Sequence, residues 1–451
     1  GYSCYVGVPK PGPWILYRSC VETRNADLIL RIHVGLPSRG RRVNGSMATV
    51  LLTETIPKII DQMVSLRAKE SAIWDHVSNF KDQEFLRDWL EKNDALSFIG
   101  DGSILPRESG LSERPMKYAI PFTSPKSLKR NVSLPSGRKI SGMLLPRGLI
   151  LITGGGYHGK TTLLESIQNG IYNHIKGDGR EMVVSRRYTV LTRAEDGRIV
   201  SHVDISSFIR DLPSGEDTKD YSSLDASGST SMAASINEAV ELGTEQILID
   251  EDTSATNLLY KDKVMEKIIR NDPINPLSLQ VKDLIRKTRL GVTMIISASS
   301  SFMEYADKVV LMDNYRPMDI TGQMSDRIDK SVSYKIPRRR VFEGIQALKK
   351  VKGVGYKLVL SYLDGERFEL DLTYYPRIVE RGQVKFAAEI IKTLYKKNMP
   401  ISEIAEYVNR RFKQESFSAF TDPVPPDLTE VDGFDVAWML NRIHRAKFKM
   451  L

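Results

Sequence analysis

Cysteine is nearly missing from this chain: Cys4 and Cys20 are the only two in 451 residues. That excludes a disulfide framework, and neither thiol stands in a metal-ligand spacing. The six histidines form no ligand cluster. No run of about eighteen apolar residues occurs, so no membrane-spanning helix is expected, and the basic terminal regions argue against a separate membrane partner. Internal repeats and low-complexity tracts are absent. The chain opens "GYSCYVGV" without a methionine, and no targeting segment is read from that start. What remains is an ordinary globular composition, 41% apolar and 27% charged. The length suits about two to three domains. Formal charge is +9, and residues 331–451 hold 22 Lys and Arg against 15 Asp and Glu. A polyanion partner and a solvated basic face explain that excess equally well.

The most informative stretch is "LITGGGYHGKTTLLE", residues 151–165. Gly154, Gly159, Lys160 and Thr161 meet G-x-x-x-x-G-K-[ST] without a mismatch. A short β-branched apolar run, "GLILIT", precedes it, and a segment with helical apolar spacing follows. Strand, glycine loop and helix together aim backbone N–H groups and a helix N-terminus at one phosphate chain. Lys160 is expected on the β- and γ-phosphates, and Thr161 on Mg2+. A merely structural glycine turn is the weaker reading, because the flanks match as well. About ninety residues on, "EQILIDEDTSATN" ends a buried strand in two acids. Asp250 stands where a Walker B aspartate holds Mg2+. Glu251 stands where a carboxylate polarises the attacking water. Between the two motifs, Ser227-Gly228-Ser229-Thr230 precedes a strong helix, which makes a second anion site.

A glycine loop, a second helix-start anion site and a Walker B strand, in that order, resemble the family of predicted ATPases of the ABC class. The matching stretches include "GDGSILPRESG", "GGGYHGKTT", "HIKGDGRE", "RAEDGR", "DASGSTSMAASINEA", "LIDEDTSATN" and "LNRIHR". The resemblance implies an α/β fold: an ABC-type P-loop ATPase core with α+β N-terminal and C-terminal domains. It implies ATP and Mg2+ as cofactors. Gly154, Gly155, Gly156, Tyr157, His158, Gly159, Lys160, Thr161 and Thr162 would form Walker A. Ala226 to Thr230 would form the signature loop, with Ser227, Gly228 and Ser229 as its contacts, completing the ATP site of a partner copy in a head-to-tail homodimer. Residues 253–257 resemble the D-loop, and Glu195 would take the Q-loop position. The family's switch histidine is missing: "SASSS", residues 297–301, stands in its place, with Ser299 as the candidate γ-phosphate contact. Slow hydrolysis is therefore expected, since a general acid or base contributes roughly 10²–10⁴ in rate. The resemblance extends to family members in mitochondrial RNA-editing complexes, implying a mitochondrial matrix location, with the cytoplasm as the alternative.

Three regions are expected: 1–115 as an N-terminal α+β domain, 116–330 as the ATPase domain, and 331–451 as a basic C-terminal α+β domain. In the last, "YKLVLSYLDGERFELDL" reads as a hairpin turning at Asp364-Gly365, followed by two amphipathic helices. Arg338, Arg339, Arg340, Lys349, Lys350, Lys352 and Lys357 gather there, and Arg39, Arg41 and Arg42 in an N-terminal turn. These are the expected phosphate contacts for single-stranded RNA, with Gly353 and Gly355 letting backbone approach a phosphate. Tyr334, Tyr356 and Tyr362 are candidates for base stacking, but for each of them core or hairpin packing is the stronger reading. Two functions follow. One is an ATP-hydrolysing homodimer that binds single-stranded RNA. The other is an ATP-switched assembly factor of a ribonucleoprotein complex, without RNA contact of its own.

Overall fold

The computed structural model describes residues 4–25, 27–40, 42–64, 69–110, 112–212, 214–261, 271–297, 299–324 and 331–451. Arg41, the side chain of Arg39, Ala298 of the serine turn and residues 325–330 lie outside them. At the centre is a six-stranded sheet. Its strands run, in spatial order, Thr189–Thr192, Gln246–Asp250, Gly291–Ile295, Leu149–Gly154, Lys308–Asp313 and Arg316–Asp319. The first five are parallel and the last is antiparallel. Parallel strands are covered on both faces, which is why they read as unbroken apolar runs. Successive side chains point to opposite faces. Leu149 and Leu151 therefore join one core, with Met232, Ile236, Val281 and Leu284 of the helices Gly228–Glu241 and Leu277–Thr288. Ile150 and Ile152 join another, with Leu163, Leu164 and Ile167 of the helix Lys160–Asn169. The chain is thus an α/β protein with a P-loop core, as expected.

Below that helix lies a four-stranded antiparallel sheet, ordered Val183–Ser185, Ala95–Gly100, Lys139–Pro146 and Lys129–Ser133. The helix Glu70–Lys92 packs onto it through Leu86 and Leu90, against Phe98, Val132 and Val184. Two shorter helices, Gly45–Val50 and Ile56–Val64, flank a π-turn over Leu51–Thr55 ahead of it. Among the described residues no helix is long and apolar enough to cross a membrane.

Past the core the hairpin forms as the sequence predicts. Lys357–Tyr362 pairs antiparallel with Arg367–Asp371, and Gly365 takes φ +90° in the turn. Leu348–Val354 adds a third strand on the other side. The helix Arg381–Leu394 lies across this sheet, opened by a capping box between Glu380 and Gln383. Its approach explains Gly353: a Cβ there would come 2.6 Å from the Lys385 backbone nitrogen. Gly353 therefore serves helix–sheet packing, not the approach of a phosphate. Gly353→Ala is expected to cost about 1–3 kcal/mol through overpacking, read as a lower thermal midpoint with unchanged nucleotide affinity. The C-terminal part is not a loose appendage. Tyr334, Phe342, Ile345 and Val351 share one continuous core with the sheet residues Leu149 and Ile247.

Candidate nucleotide site

The strand Leu149–Gly154 leaves the sheet at Gly154, where φ is +137° and a Cβ would lie 2.2 Å from the Met312 carbonyl oxygen. Only glycine makes that turn. Gly155, Gly156 and Tyr157 are exposed. His158 Nδ1 lies 3.3 Å from the Met312 carbonyl oxygen, which pins the loop to the next strand. Gly159 packs beside the Tyr315 ring. The helix Lys160–Asn169 starts there without a side-chain cap and without an acid in its first turn. Its first N–H groups therefore find no side-chain acceptor. Lys160 Nζ curls back and donates to the carbonyls of Gly154 and Gly155 at 2.7 and 2.8 Å. Free N–H donors, a cation and an open glycine cradle suit a polyphosphate.

Asp250 ends the strand Gln246–Asp250, two places along the sheet from Leu149–Gly154, opposite Ile295 of the strand between them, and is 8% exposed. Burial pushes its carboxyl up from the ordinary range, against a backbone hydrogen bond from Asp252. A bound cation would reverse that push. Thr161 and Asp250 line one cleft of about 670 Å³, with Thr162 and Glu165 also on its wall. A hydroxyl and a carboxylate are the hard oxygen donors that Mg2+ takes. These two residues would hold it, and the ion would supply charge neutralisation for the phosphates.

Glu251 follows in a short 3-10 turn, Glu251–Thr253. The parallel register carries Ser297 alongside, and its N–H donates to Glu251 Oε2 at 2.6 Å. Tyr260 donates its hydroxyl to the other oxygen, Oε1, at 2.7 Å. Ser299, the residue expected on the γ-phosphate, donates its hydroxyl to Ser301 Oγ at 2.9 Å. Tyr260 left no signal in the sequence, because "NLLY" reads only as an apolar helical stretch.

The signature residues sit at a helix start as expected. Ser227 caps the helix Gly228–Glu241, with its hydroxyl 3.4 Å from the Thr230 nitrogen. Ser229 donates to Asn257 Oδ1 at 2.8 Å, tying this loop to the D-loop segment of the same chain. Asp196 crowds Gly228: a Cβ there would lie 2.9 Å from its Oδ1. Glu195 differs from expectation. Its carboxylate does not open toward the phosphate loop but is taken up by Arg442, at 2.6 and 3.2 Å, and by Ser235, at 3.1 Å. Burial would raise its pKa, but the Arg442 and Arg198 guanidiniums hold it at about 2.

The basic residues divide. Arg338, Arg339, Lys349, Lys350 and Lys352 are exposed, as is Arg42. Lys357 is exposed but paired to Glu369 at 3.2 Å. Arg340 is 1% exposed, and its guanidinium is spent on Glu241, on the Ser201 carbonyl and on Asn441. It offers nothing to a polyanion, because a buried guanidinium must be paired where it lies. Tyr334 and Tyr362 are fully buried, bonding Asn237 and the His444 carbonyl. Packing is their role, and only the half-buried Tyr356 keeps a partly open ring.

Residues 69–347 match a family model for the P-loop domain of ABC ATPases, and residues 1–67 match the N-terminal domain of ATPases of the ABC class. An uncharacterized protein of Methanocaldococcus jannaschii is 36% identical over 197 residues, 41% of this chain and 43% of that protein. The chain therefore aligns with less than half of that relative's length. With its P-loop domain matched across more than half of its residues, the chain belongs to the ABC-class ATPase family, and that membership supports binding and hydrolysis of ATP.

Proposed function

We propose that two copies of the chain pair head to tail around two ATP molecules, and that the ATP cycle acts on single-stranded RNA held by the C-terminal basic face. A twofold arrangement is the usual closed solution for such a pair. Mitochondrial RNA processing, as the setting, rests on the family resemblance alone and belongs to the same proposal. The observation that carries the RNA reading is the strand Leu348–Val354. Lys349, Lys350 and Lys352 all stand exposed on it. Among the described residues no carboxylate comes within ion-pair distance of them. Lys350 is held below its ordinary range first by its neighbour Lys352, then by Lys392 and Lys349. Cations crowded together without an anion are poised to receive phosphates.

Replacing Lys349, Lys350 and Lys352 together with alanine is expected to weaken RNA binding across all sequences. Each single-strand phosphate contact adds about 0.7 to the slope of log affinity on log salt, so the triple change lowers that slope by about two. Filter binding over a salt series measures it. Unchanged affinity and slope would mean a solvated face. The second reading, an assembly factor, is favoured by Met47, Val50, Leu52 and Trp74 on the N-terminal helices, each between 48 and 60% exposed. Exposed apolar residues of this kind mark protein contacts.

A further inference from the structure

We infer that Tyr260 is a positioning residue for ATP hydrolysis, acting through its hydrogen bond to Glu251; the inference rests on the reading of Glu251 as the base. The carboxylate is gripped from two sides. Tyr260 Oη donates to Oε1 at 2.7 Å, and the Ser297 N–H donates to Oε2 at 2.6 Å. An ionised carboxylate has about four lone-pair sites. These two donors, one on each oxygen, fix its orientation.

Tyr260 is itself held in place. It closes the short helix Thr256–Leu259, whose Leu258 and Leu259 are fully buried. Its ring stands edge-on to Phe302, at 6.5 Å between centroids and 90° between planes. Phe302 is fully buried, which makes it a rigid stop. Burial, and then the bond to Glu251, pushes the Tyr260 hydroxyl up to about 12. It therefore remains a donor over the whole range in which turnover is measured, and it takes no proton itself. One phenol links the end of the helix Thr256–Leu259 to the base and to the buried Phe302 ring. A base must be held in productive geometry by groups that are themselves locked, and this chain of contacts supplies that support.

The test uses the full chain. Tyr260→Phe keeps the ring and removes the hydroxyl. A hydrogen bond to a charged group accounts for roughly a tenfold effect or more. The kcat is expected to fall roughly tenfold, while KM and the affinity for a fluorescent ATP analogue stay at wild-type values. In a Glu251→Gln background the same change costs nothing further, because residues that act as a unit are non-additive. A single fluorotyrosine placed at position 260 gives a readout without nucleotide. Its fluorine resonance is expected to move on Glu251→Gln and to stay in place on Lys160→Ala. Wild-type kcat in Tyr260→Phe, or the same loss in both backgrounds, overturns the inference. Wild-type turnover in Glu251→Gln alone overturns the base reading instead. Should Tyr260→Phe lose ATP binding through misfolding, the fluorotyrosine decides the matter, because it keeps the hydroxyl; a resonance that does not respond to Glu251→Gln counts against the inference.

Discussion

A Glu251→Gln protein is expected to bind ATP as tightly as the wild type and to turn it over roughly 10²–10⁴-fold more slowly, the usual contribution of a positioned general base. The substitution is nearly isosteric: the amide oxygen can still accept from the Ser297 N–H, while the amide nitrogen, now a donor, faces the Tyr260 hydroxyl, which must turn to accept from it. The capacity to take a proton is lost. Lys160→Ala acts differently. It removes the cation that lies over the Gly154 and Gly155 carbonyls in the open glycine cradle, so binding itself should weaken. The two variants together separate chemistry from affinity. Glu251→Gln also serves the assembly proposal, because blocked hydrolysis should accumulate the ATP-bound pair. Light scattering with ATP and Mg2+ is expected to show a dimer. A monomer at every concentration would rule out the head-to-tail arrangement. Unimpaired turnover in the variant would remove Glu251 as the base.

The sequence discloses the nucleotide site because its parts are local. Gly154 to Thr162 is one contiguous turn, and Asp250 and Glu251 are adjacent residues at a strand end. The hairpin at Asp364-Gly365 is equally local. What it hides depends on pairing over long separations. Arg338, Arg339 and Arg340 look alike in the sequence, yet Arg340 alone turns inward to Glu241, 99 residues away. For Tyr334 and Tyr362 the sequence favours packing but cannot name the partners, which are the helix residue Asn237 and the carbonyl of His444. Gly353 invites a phosphate on paper, and a helix backbone fills that space instead. Glu195 follows the same rule. Its motif suggests a ligand, but its partner lies 247 residues further along the chain.

That partner makes Arg442 a side chain whose loss should cost the fold heavily. Arg442 is 3% exposed and meets Glu195 at 2.6 Å and Glu238 at 3.4 Å, while Arg198 completes a balanced group of two cations and two anions. It also lies 3.4 Å from the centre of the Trp438 ring. The group ties the helix Gly228–Glu241 and the Glu195 loop to the C-terminal region. Removing one member of a buried ionic group costs about 3–5 kcal/mol, because the remaining charges lose compensation without regaining water. Arg442→Met keeps the apolar stem and deletes the charge. Its first thermal transition is expected to fall by roughly 10 °C, at about 2–4 °C per kcal/mol for a unit of this size. Arg442→Lys should lie between, because an ammonium cannot engage Glu195 with the planar fork. Acid gives an independent check. Glu195 sits at about 2 in the folded protein against an ordinary 4.5, so its stabilisation is complete above about pH 4.5 and is lost as pH falls toward 2. The wild type should lose stability over that window, whereas Arg442→Met, with Glu195 no longer so depressed, should lose less there. Equal thermal transitions for wild type and Arg442→Met at neutral pH would show that this buried group does not hold the C-terminal region to the ATPase core.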